Sequence, residues 1–310
     1  MANKLKLAVS PHIHSGRSTM GIMRDVIIAL LPAAIAGSVI FGLRSLLVIG
    51  VCVASCVLLE AVFNKITKKE QTIGDLSAVV TGLLLALNLP ANIPVWQCVV
   101  GSVFAIVVVK CLFGGIGYNV VNPAITARVF MLVAFGSMTI QAYPKVVDVA
   151  SSATPLAVMA DGGNAPELFD LFKGLHGGAI GETCAAALLV GFVYLLVRRV
   201  ITWHIPVSYI GSVFVLSLLM ENFDFVRALS MVLSGGLLIG AIFMATDYVT
   251  SPSTAKGKLI FGLGAGVLTF LIRYFGNYPE GVSFAILLMN ILNPYIMSWT
   301  SHKVFGGGKA

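Results

Sequence analysis

Ten long apolar runs constrain what this 310-residue chain can fold into. Nine of the runs span about 16 to 20 residues, which as a helix is enough to cross a hydrocarbon core of about 30 Å, while the run at 123–136 is shorter. Only 11% of the residues are charged, and 58% are hydrophobic. This hydrophobic fraction is larger than a soluble domain of this size needs for its core. The sequence therefore predicts an all-α polytopic integral membrane protein with about ten transmembrane helices, at 24–41, 45–63, 73–89, 95–113, 123–136, 179–197, 205–220, 227–245, 259–275 and 282–298.

The longest polar connection divides these runs into two sets of five. We expect one membrane domain built from an N-terminal half at 1–136, a loop at 137–178 and a C-terminal half at 179–310. Thr81-Gly-Leu-Leu-Leu-Ala-Leu87 resembles Gly235-Gly-Leu-Leu-Ile-Gly-Ala241. An odd number of runs per half predicts a 5+5 inverted repeat, in which sites lie near the bilayer midplane. A chance likeness between two Gly/Leu-rich helices is the alternative.

The basic residues predict the orientation in the membrane. If the N-terminus is cytoplasmic, fourteen of the 20 Lys and Arg residues lie on the cytoplasmic side, as the positive-inside rule requires. Both termini are then cytoplasmic in an inner or plasma membrane, and the loop at 137–178 is extracytoplasmic. The net charge of +7 is spread between apolar runs, so we expect lipid as a partner and no nucleic acid.

The five cysteines predict core packing rather than a metal site. Cys52, Cys56, Cys98, Cys111 and Cys184 all lie in apolar stretches and form no C-x-x-C pair. Cys52 and Cys56 share a helix face, which leaves a ligand pair open as the alternative.

A hydroxyl-rich segment lies inside the long loop, at Asp148-Val-Ala-Ser151-Ser152-Ala-Thr154-Pro155. Small hydroxyl residues favour turns, and a proline disfavours helical geometry at the residue before it. We therefore expect an accessible Thr154 hydroxyl that is available for modification. An ordinary surface turn is the alternative.

Two asparagines and several acids are the other polar residues that point to a site. Asn119 and Asn122 follow a glycine-rich turn and match the donors and acceptors on a flavin edge, although a helix cap also explains them. Acids in or beside apolar runs are usually paired or functional. Asp75, Asp247 and Glu280 are thus candidates for a cation path, with Glu182 as a further such acid, while Asp247 also suits a helix cap.

Five ordered segments resemble one known family, which includes the D subunit of the Rnf electron-transport complex and the B subunit of the sodium-pumping NADH:quinone reductase. The resemblance spans nearly the whole chain. They are Ser15-Gly-Arg-Ser-Thr-Met20, Thr81-Gly-Leu-Leu-Leu-Ala-Leu-Asn-Leu-Pro90, Gly114-Gly-Ile-Gly-Tyr-Asn-Val-Val-Asn-Pro123, Ser151-Ser-Ala-Thr-Pro155 and Phe243-Met-Ala-Thr-Asp-Tyr-Val-Thr-Ser-Pro252.

The resemblance implies two flavins. FMN would be attached to Thr154 through a phosphoester by a flavin transferase, whose motif Asp148, Ser151, Ala153 and Thr154 match, with Ser152 where the family usually has glycine. A noncovalent riboflavin would contact Asn119 and Asn122.

The resemblance also implies an activity and its partners. The chain would be a subunit of an ion-translocating oxidoreductase that couples electron transfer between ferredoxin and NAD to Na⁺ or H⁺ transport, together with subunits of the A, B, C, E and G types. A non-redox inverted-repeat transporter or channel is the alternative, and it would need no flavin.

Overall fold

The computed structural model describes residues 18–139, 142, 144, 154–164, 167–276 and 281–301. Helices and turns make up these segments, apart from an isolated antiparallel bridge between Ala142 and Gly178. The predicted all-α class is therefore confirmed for the described part of the chain. Glu280 and the residues Asp148, Ser151, Ser152 and Ala153 lie outside it.

The first half forms five helices before the long loop. They are α1 (Thr19–Phe41), α2 (Leu43–Ile66), α3 (Ser77–Leu87), α4 (Val95–Val103), which continues as a π-helix (Phe104–Cys111), and α5 (Pro123–Ala134). Ser18 caps α1 and Asn122 caps α5 with their side chains. Short 3-10 turns at Ile73–Asp75 and Gly136–Thr139 flank α3 and α5.

The loop and the second half add eight helices. Two short ones, α6 (Pro155–Ala160) and α7 (Leu168–Lys173), belong to the loop. They are followed by α8 (Ala185–Val197), α9 (His204–Met220), α10 (Phe225–Leu233), α11 (Leu237–Ile239), which continues as a π-helix (Gly240–Met244), α12 (Ala255–Phe275) and α13 (Val282–Thr300).

Every predicted apolar run contains a helix, but the helices differ in length. In the described residues, four are long and apolar enough to cross a membrane, namely α1, α2, α12 and α13, and α10 with α11 makes a fifth if the bent pair counts as one span. Five others are apolar but have only 10–17 residues. Several spans are thus shown, whereas ten crossings and the inverted repeat stay predictions.

Small residues bring α9 and α12 close together. Gly262 and Gly266 of α12 face Ser208 and Ser212 of α9, and a Cβ on either glycine would collide with the serine hydroxyl. Small residues four positions apart let membrane helices approach closely. A buried hydrogen bond of 2.7 Å between the hydroxyls of Tyr209 and Thr269 joins the same two helices.

The cysteines pack in the apolar interior, as the sequence predicted. Cys52, Cys56, Cys98 and Cys111 are buried, Cys184 is partly buried, and all five are free thiols. Among the described residues no group of three or more His, Cys, Asp or Glu side chains is arranged to hold a metal ion.

Candidate functional site

A cavity lies where the starts of α3 and α5 meet the segment that follows the second π-helix. It contains about 820 Å³ of space, including the part that opens to solvent. Most of its wall is apolar, with side chains from α1, α3 and the chain beyond α8. The polar side chains in the wall are Ser77, Thr81, Lys110, Asn119, Asn122, Thr246, Asp247 and Tyr248. The fold thus brings together three residues that the sequence predicted separately, Asn119, Asn122 and Asp247.

Asn122 is a helix cap, one of the two roles that the sequence left open, and its side chain also lies in the cavity wall. Its side-chain oxygen accepts from the backbone N–H groups of Ala124 at 3.0 Å and Ile125 at 3.3 Å, so it is the N-cap of α5. Its amide nitrogen donates to the backbone oxygen of Met244 at 3.3 Å, which ties α5 to the second π-helix. The same side chain lines the cavity and is only 4% exposed.

Asn119 and Asp247 lie together on one side of the cavity. The Asn119 amide nitrogen donates to the backbone oxygen of Val121 at 3.1 Å. Asp247 accepts from the Val249 N–H at 3.4 Å and the Thr250 hydroxyl at 3.2 Å. Burial raises the pKa of the Asp247 carboxyl, while these two hydrogen bonds and one from Asn119 oppose the shift.

The cap interpretation of Asp247 is wrong for the following helix. The N-cap of α12 is Thr254, whose hydroxyl oxygen accepts from the Gly257 N–H at 3.1 Å. Asp247 instead stabilises the turn that precedes α12, through its bonds to Val249 and Thr250.

A buried ion pair forms the end of the cavity wall, and the sequence did not predict it. Lys110 Nζ lies 2.8 Å from Glu60 Oε2, and the two side chains are 3% and 2% exposed. Lys110 also donates to the Ser77 hydroxyl at 2.6 Å, and that hydroxyl donates to the carboxylate of Asp75. Thr72 donates to the other oxygen of Glu60 at 2.5 Å.

Asp75 therefore does not line the cavity. It is connected to the cavity residue Lys110 through the Ser77 hydroxyl. It lies in a 3-10 turn before α3, outside the helix that its predicted run contains, and is partly exposed. The sequence did contain an indication of this ion pair. Glu60 and Lys110 are charged residues inside apolar runs, and such residues are normally paired.

A second polar cluster lies away from the cavity and includes Glu182. Its carboxylate accepts from the backbone N–H of Ala179 at 2.9 Å and lies 3.5 Å from the guanidinium of Arg128. Both side chains are buried. The acid predicted at position 182 is thus paired, and the cation that it pairs with is the arginine inside the fifth run.

Thr154 has the backbone geometry that its proline neighbour predicts. Its φ of −67° and ψ of 157° are extended, and it is the N-cap of α6, where its hydroxyl oxygen accepts from the Ala157 N–H at 3.2 Å. The residue is partly exposed. Arg227 of α10 donates to the backbone oxygen of Met159 at 3.1 Å, so α6 is held against the second half.

The model of the NQR2, RnfD, RnfE family matches residues 6–306. The chain belongs to this family. The match covers both halves and the intervening loop, and so includes the cavity residues and Thr154 together.

Similar proteins of this family extend over nearly the same length. The chain is 48% identical to the D subunit of the Na⁺-translocating ferredoxin:NAD⁺ oxidoreductase complex of Acetobacterium woodii, covering 98% of this chain and 96% of the relative. It is 39% identical to the D subunit of the proton-translocating ferredoxin:NAD⁺ oxidoreductase complex of Clostridium ljungdahlii, with 98% and 97% covered. It is 35% identical to the D subunit of the ion-translocating oxidoreductase complex of an Escherichia coli strain, with 98% and 99% covered.

Proposed function

We propose that this chain is the membrane flavoprotein subunit of an ion-translocating ferredoxin:NAD⁺ oxidoreductase complex. The observation that carries the proposal is its similarity, over 98% of its length, to D subunits of complexes named for that reaction. The chain would act with the other subunits, of the A, B, C, E and G types, and would not be catalytic alone. The translocated cation is Na⁺ or H⁺, because the relatives named above include one of each kind.

The first cofactor in this proposal is FMN on Thr154, attached by a separate flavin transferase. The extended backbone before Pro155 and the partly exposed position of Thr154 support an accessible acceptor hydroxyl. The matching motif residues are Asp148, Ser151 and Ala153, with Ser152 in place of the usual glycine. A covalent phosphoester keeps a water-facing flavin from dissociating.

The second cofactor is a noncovalent riboflavin in the cavity beside Asn119 and Asn122. A wall that is mostly apolar but contains the amide groups of Asn119 and Asn122 and several hydroxyl groups suits a flat ring with a polar edge. When bound, the ring would accept and pass on electrons. The chain's own residues would orient the ring, and Lys110 and Asp247 would set the local charge.

The arrangement in the membrane belongs to the same proposal. Ten crossings related by a 5+5 inverted repeat would place both termini in the cytoplasm and the Thr154 loop outside. Asp75, Asp247 and Glu280 remain the acids proposed for a cation path.

Thr154→Ala should abolish covalent flavin, and denaturing electrophoresis with in-gel fluorescence would show it. The native complex, from cells that contain the transferase, should give a fluorescent band for this subunit. Since Thr154 caps α6, the alanine also costs about 1 kcal/mol of local stability. Thr154→Asn is the matched control for that effect, because asparagine caps helices well but forms no phosphoester. Fluorescence that survives in either variant would place the flavin elsewhere.

The same gel separates the two classes of function. A redox subunit should give the fluorescent band and a transporter or channel should not. Absence of the fluorescent band from the wild-type complex would exclude a redox flavoprotein subunit. Asp148→Ala should lower the yield of flavin less completely than changes at Thr154.

Asn119→Ala should lower the riboflavin content without changing the covalent flavin. Loss of a neutral hydrogen bond costs about 1 kcal/mol, or roughly fivefold in retention. The measurement is chromatography of flavins extracted by acid from the purified complex. Ser230→Ala is the control, since the buried Ser230 hydroxyl donates to the Val226 backbone oxygen outside the cavity. Equal riboflavin in both variants would contradict the assignment of Asn119.

A further inference from the structure

Two of the apolar runs contain helices that end inside the bundle. The helix α3 stops at Leu87 after 11 residues, and no helix follows until α4 begins. The helix α10 stops at Leu233 after 9 residues, and the chain turns by 63° before it continues in α11. The last carbonyl groups of a helix have no partner within it and carry partial negative charge. Both ends thus present carbonyl oxygens to the protein interior.

A buried arginine lies at the end of α3. Arg128 Nη1 donates at 2.7 Å to the side-chain oxygen of Asn88, the residue that follows the helix. The amide nitrogen of Asn88 in turn donates to the backbone oxygen of Leu84 at 2.7 Å. Arg128 is 5% exposed and also lies 3.5 Å from the Glu182 carboxylate. Its guanidinium group therefore lies beside the negative end of the helix and is connected to it through the Asn88 side chain.

A second buried arginine lies at the end of α10. Arg273, from the last turn of α12, donates directly to the backbone oxygens of Met231 and Ser234, the latter at 3.2 Å. It is 7% exposed. The two helix ends come from different halves of the chain, and each has a guanidinium group from another helix beside it, at α3 through the Asn88 side chain and at α10 by direct bonds to carbonyl oxygens.

Two adjacent glycines let both arginines approach the second break. A Cβ on Gly236 would lie 3.0 Å from Arg128 Nη1, and a Cβ on Gly235 would lie 3.3 Å from Arg273 Nη2. Gly235 also has a φ of +69°, which a residue with a side chain rarely adopts. The break at Ser234–Gly236 thus lies against two guanidinium groups of the chain itself, with the Glu182 carboxylate beside that of Arg128.

Interrupted helices in transporters expose carbonyl oxygens that coordinate a mobile cation. Here we propose that Arg128 and Arg273 are cations tethered to the chain, and that their guanidinium groups take the position of a mobile cation at the carbonyl ends of α3 and α10. Neither helix break then binds the translocated ion. A cation that entered either break would meet a buried guanidinium of the same charge. The inference is independent of the flavins and goes beyond the proposed function, because it states where the cation does not pass.

The test replaces the tethered cation with a free one. Complexes are assembled in the native host with Arg128→Ala in a tagged subunit, and the midpoint temperature for loss of that subunit from the complex is measured. Guanidinium is added at millimolar concentrations, far below those that denature proteins. Urea, which has the same shape without the charge, and NaCl at equal ionic strength are the controls. Arg273→Ala repeats the test at the other break.

We expect a lower midpoint in each alanine variant and a saturable recovery with guanidinium that urea and NaCl do not give. The wild-type midpoint should not rise. Recovery by urea to the same extent would mean that only volume matters, and recovery by all salts would mean only ionic strength. Either result, or no recovery at all, would overturn the proposal.

A second pair of variants decides the case if the alanine variants do not assemble. Arg128→Lys keeps the charge and Arg128→Gln removes it, while both retain a hydrogen-bond donor. The proposal requires more assembled complex with lysine than with glutamine, as measured from the tagged subunit in membranes. Equal abundance of the two variants would overturn it.

Discussion

Buried charged side chains in the described part of the chain have partners, and the ion pair of Lys110 and Glu60 shows why. Both groups are almost inaccessible, and each has a further hydrogen bond, from Lys110 to Ser77 and from Thr72 to Glu60. Removal of water from two charges costs several kcal/mol per ion. The pair is therefore stable as a unit, while either member alone is not.

Lys110→Met should destabilise the subunit by about 3–5 kcal/mol, because it leaves the Glu60 carboxylate buried and unpaired. The double variant with Glu60→Leu should recover most of that loss, since an apolar pair of similar volume removes both desolvation costs. The measurement is the thermal midpoint of the single and double variants in a double-mutant cycle. Additive losses would show that the two charges are not coupled.

The breaks in the helices depend on how other elements pack against them. The segment that enters α8 runs beside the end of α3, where the N–H groups of Gly181 and Ile180 donate to the backbone oxygens of Leu87 at 2.8 Å and Leu89 at 3.1 Å. Gly37 of α1 lies against the same segment, and a Cβ there would collide with the backbone oxygen of Ile180. The carbonyls at the end of α3 are thus satisfied partly by the local residues Asn88 and Leu89 and partly by tertiary contacts with this segment.

Two glycines at mid-helix positions should respond in opposite ways to alanine. Gly50→Ala in α2 should stabilise by up to about 1 kcal/mol, because alanine is the better helix former and no atom lies within 4 Å of the added methyl group. Gly37→Ala gains the same propensity but pushes α1 away from Ile180, so a net loss of stability is expected. Thermal midpoints of the two variants test this. A gain at position 37 would mean that α1 can move without cost.

The two proposed flavin sites lie at opposite ends of the molecule. The cavity is lined by Asp247 and Tyr248, just before α12 begins, while the short helix that Thr154 caps packs on Tyr274 in the last turn of α12. A helix of 21 residues is about 30 Å long, which is the thickness of the hydrocarbon core. The two proposed flavin sites therefore lie near opposite ends of α12, as the proposed arrangement in the membrane requires.

Labelling from each side of the membrane should distinguish the two ends. In a background without the five native cysteines, Asp161→Cys should react with an impermeant thiol reagent from outside, and Lys256→Cys only from the cytoplasm. Both residues are exposed, and they lie on the α6 side and at the start of α12. Reaction of position 161 only from the cytoplasm would invert the topology and the proposed location of FMN.

Local chemistry in the sequence determined the class of the fold and several details of the sites. Apolar runs gave the positions of the helices, Pro155 gave the extended geometry of Thr154, and the motif of Asn122 before Pro123 gave the N-cap of α5. These predictions held because each depends on residues within one or two turns of one another. The same reasoning failed at Asp247, where two capping residues, Asp247 and Thr254, were available and the second one caps the helix.

Only the tertiary structure decided which distant residues meet. Lys110 and Glu60 are 50 positions apart, and Arg128 and Glu182 are 54 apart. The likeness between 81–87 and 235–241 also did not predict the backbone, which is a continuous helix in the first segment and begins with a break in the second. Hydrophobic periodicity specifies which residues are apolar along a helix, but not which neighbouring helix each face will contact. Partners, helix breaks and the shape of the cavity follow from that packing.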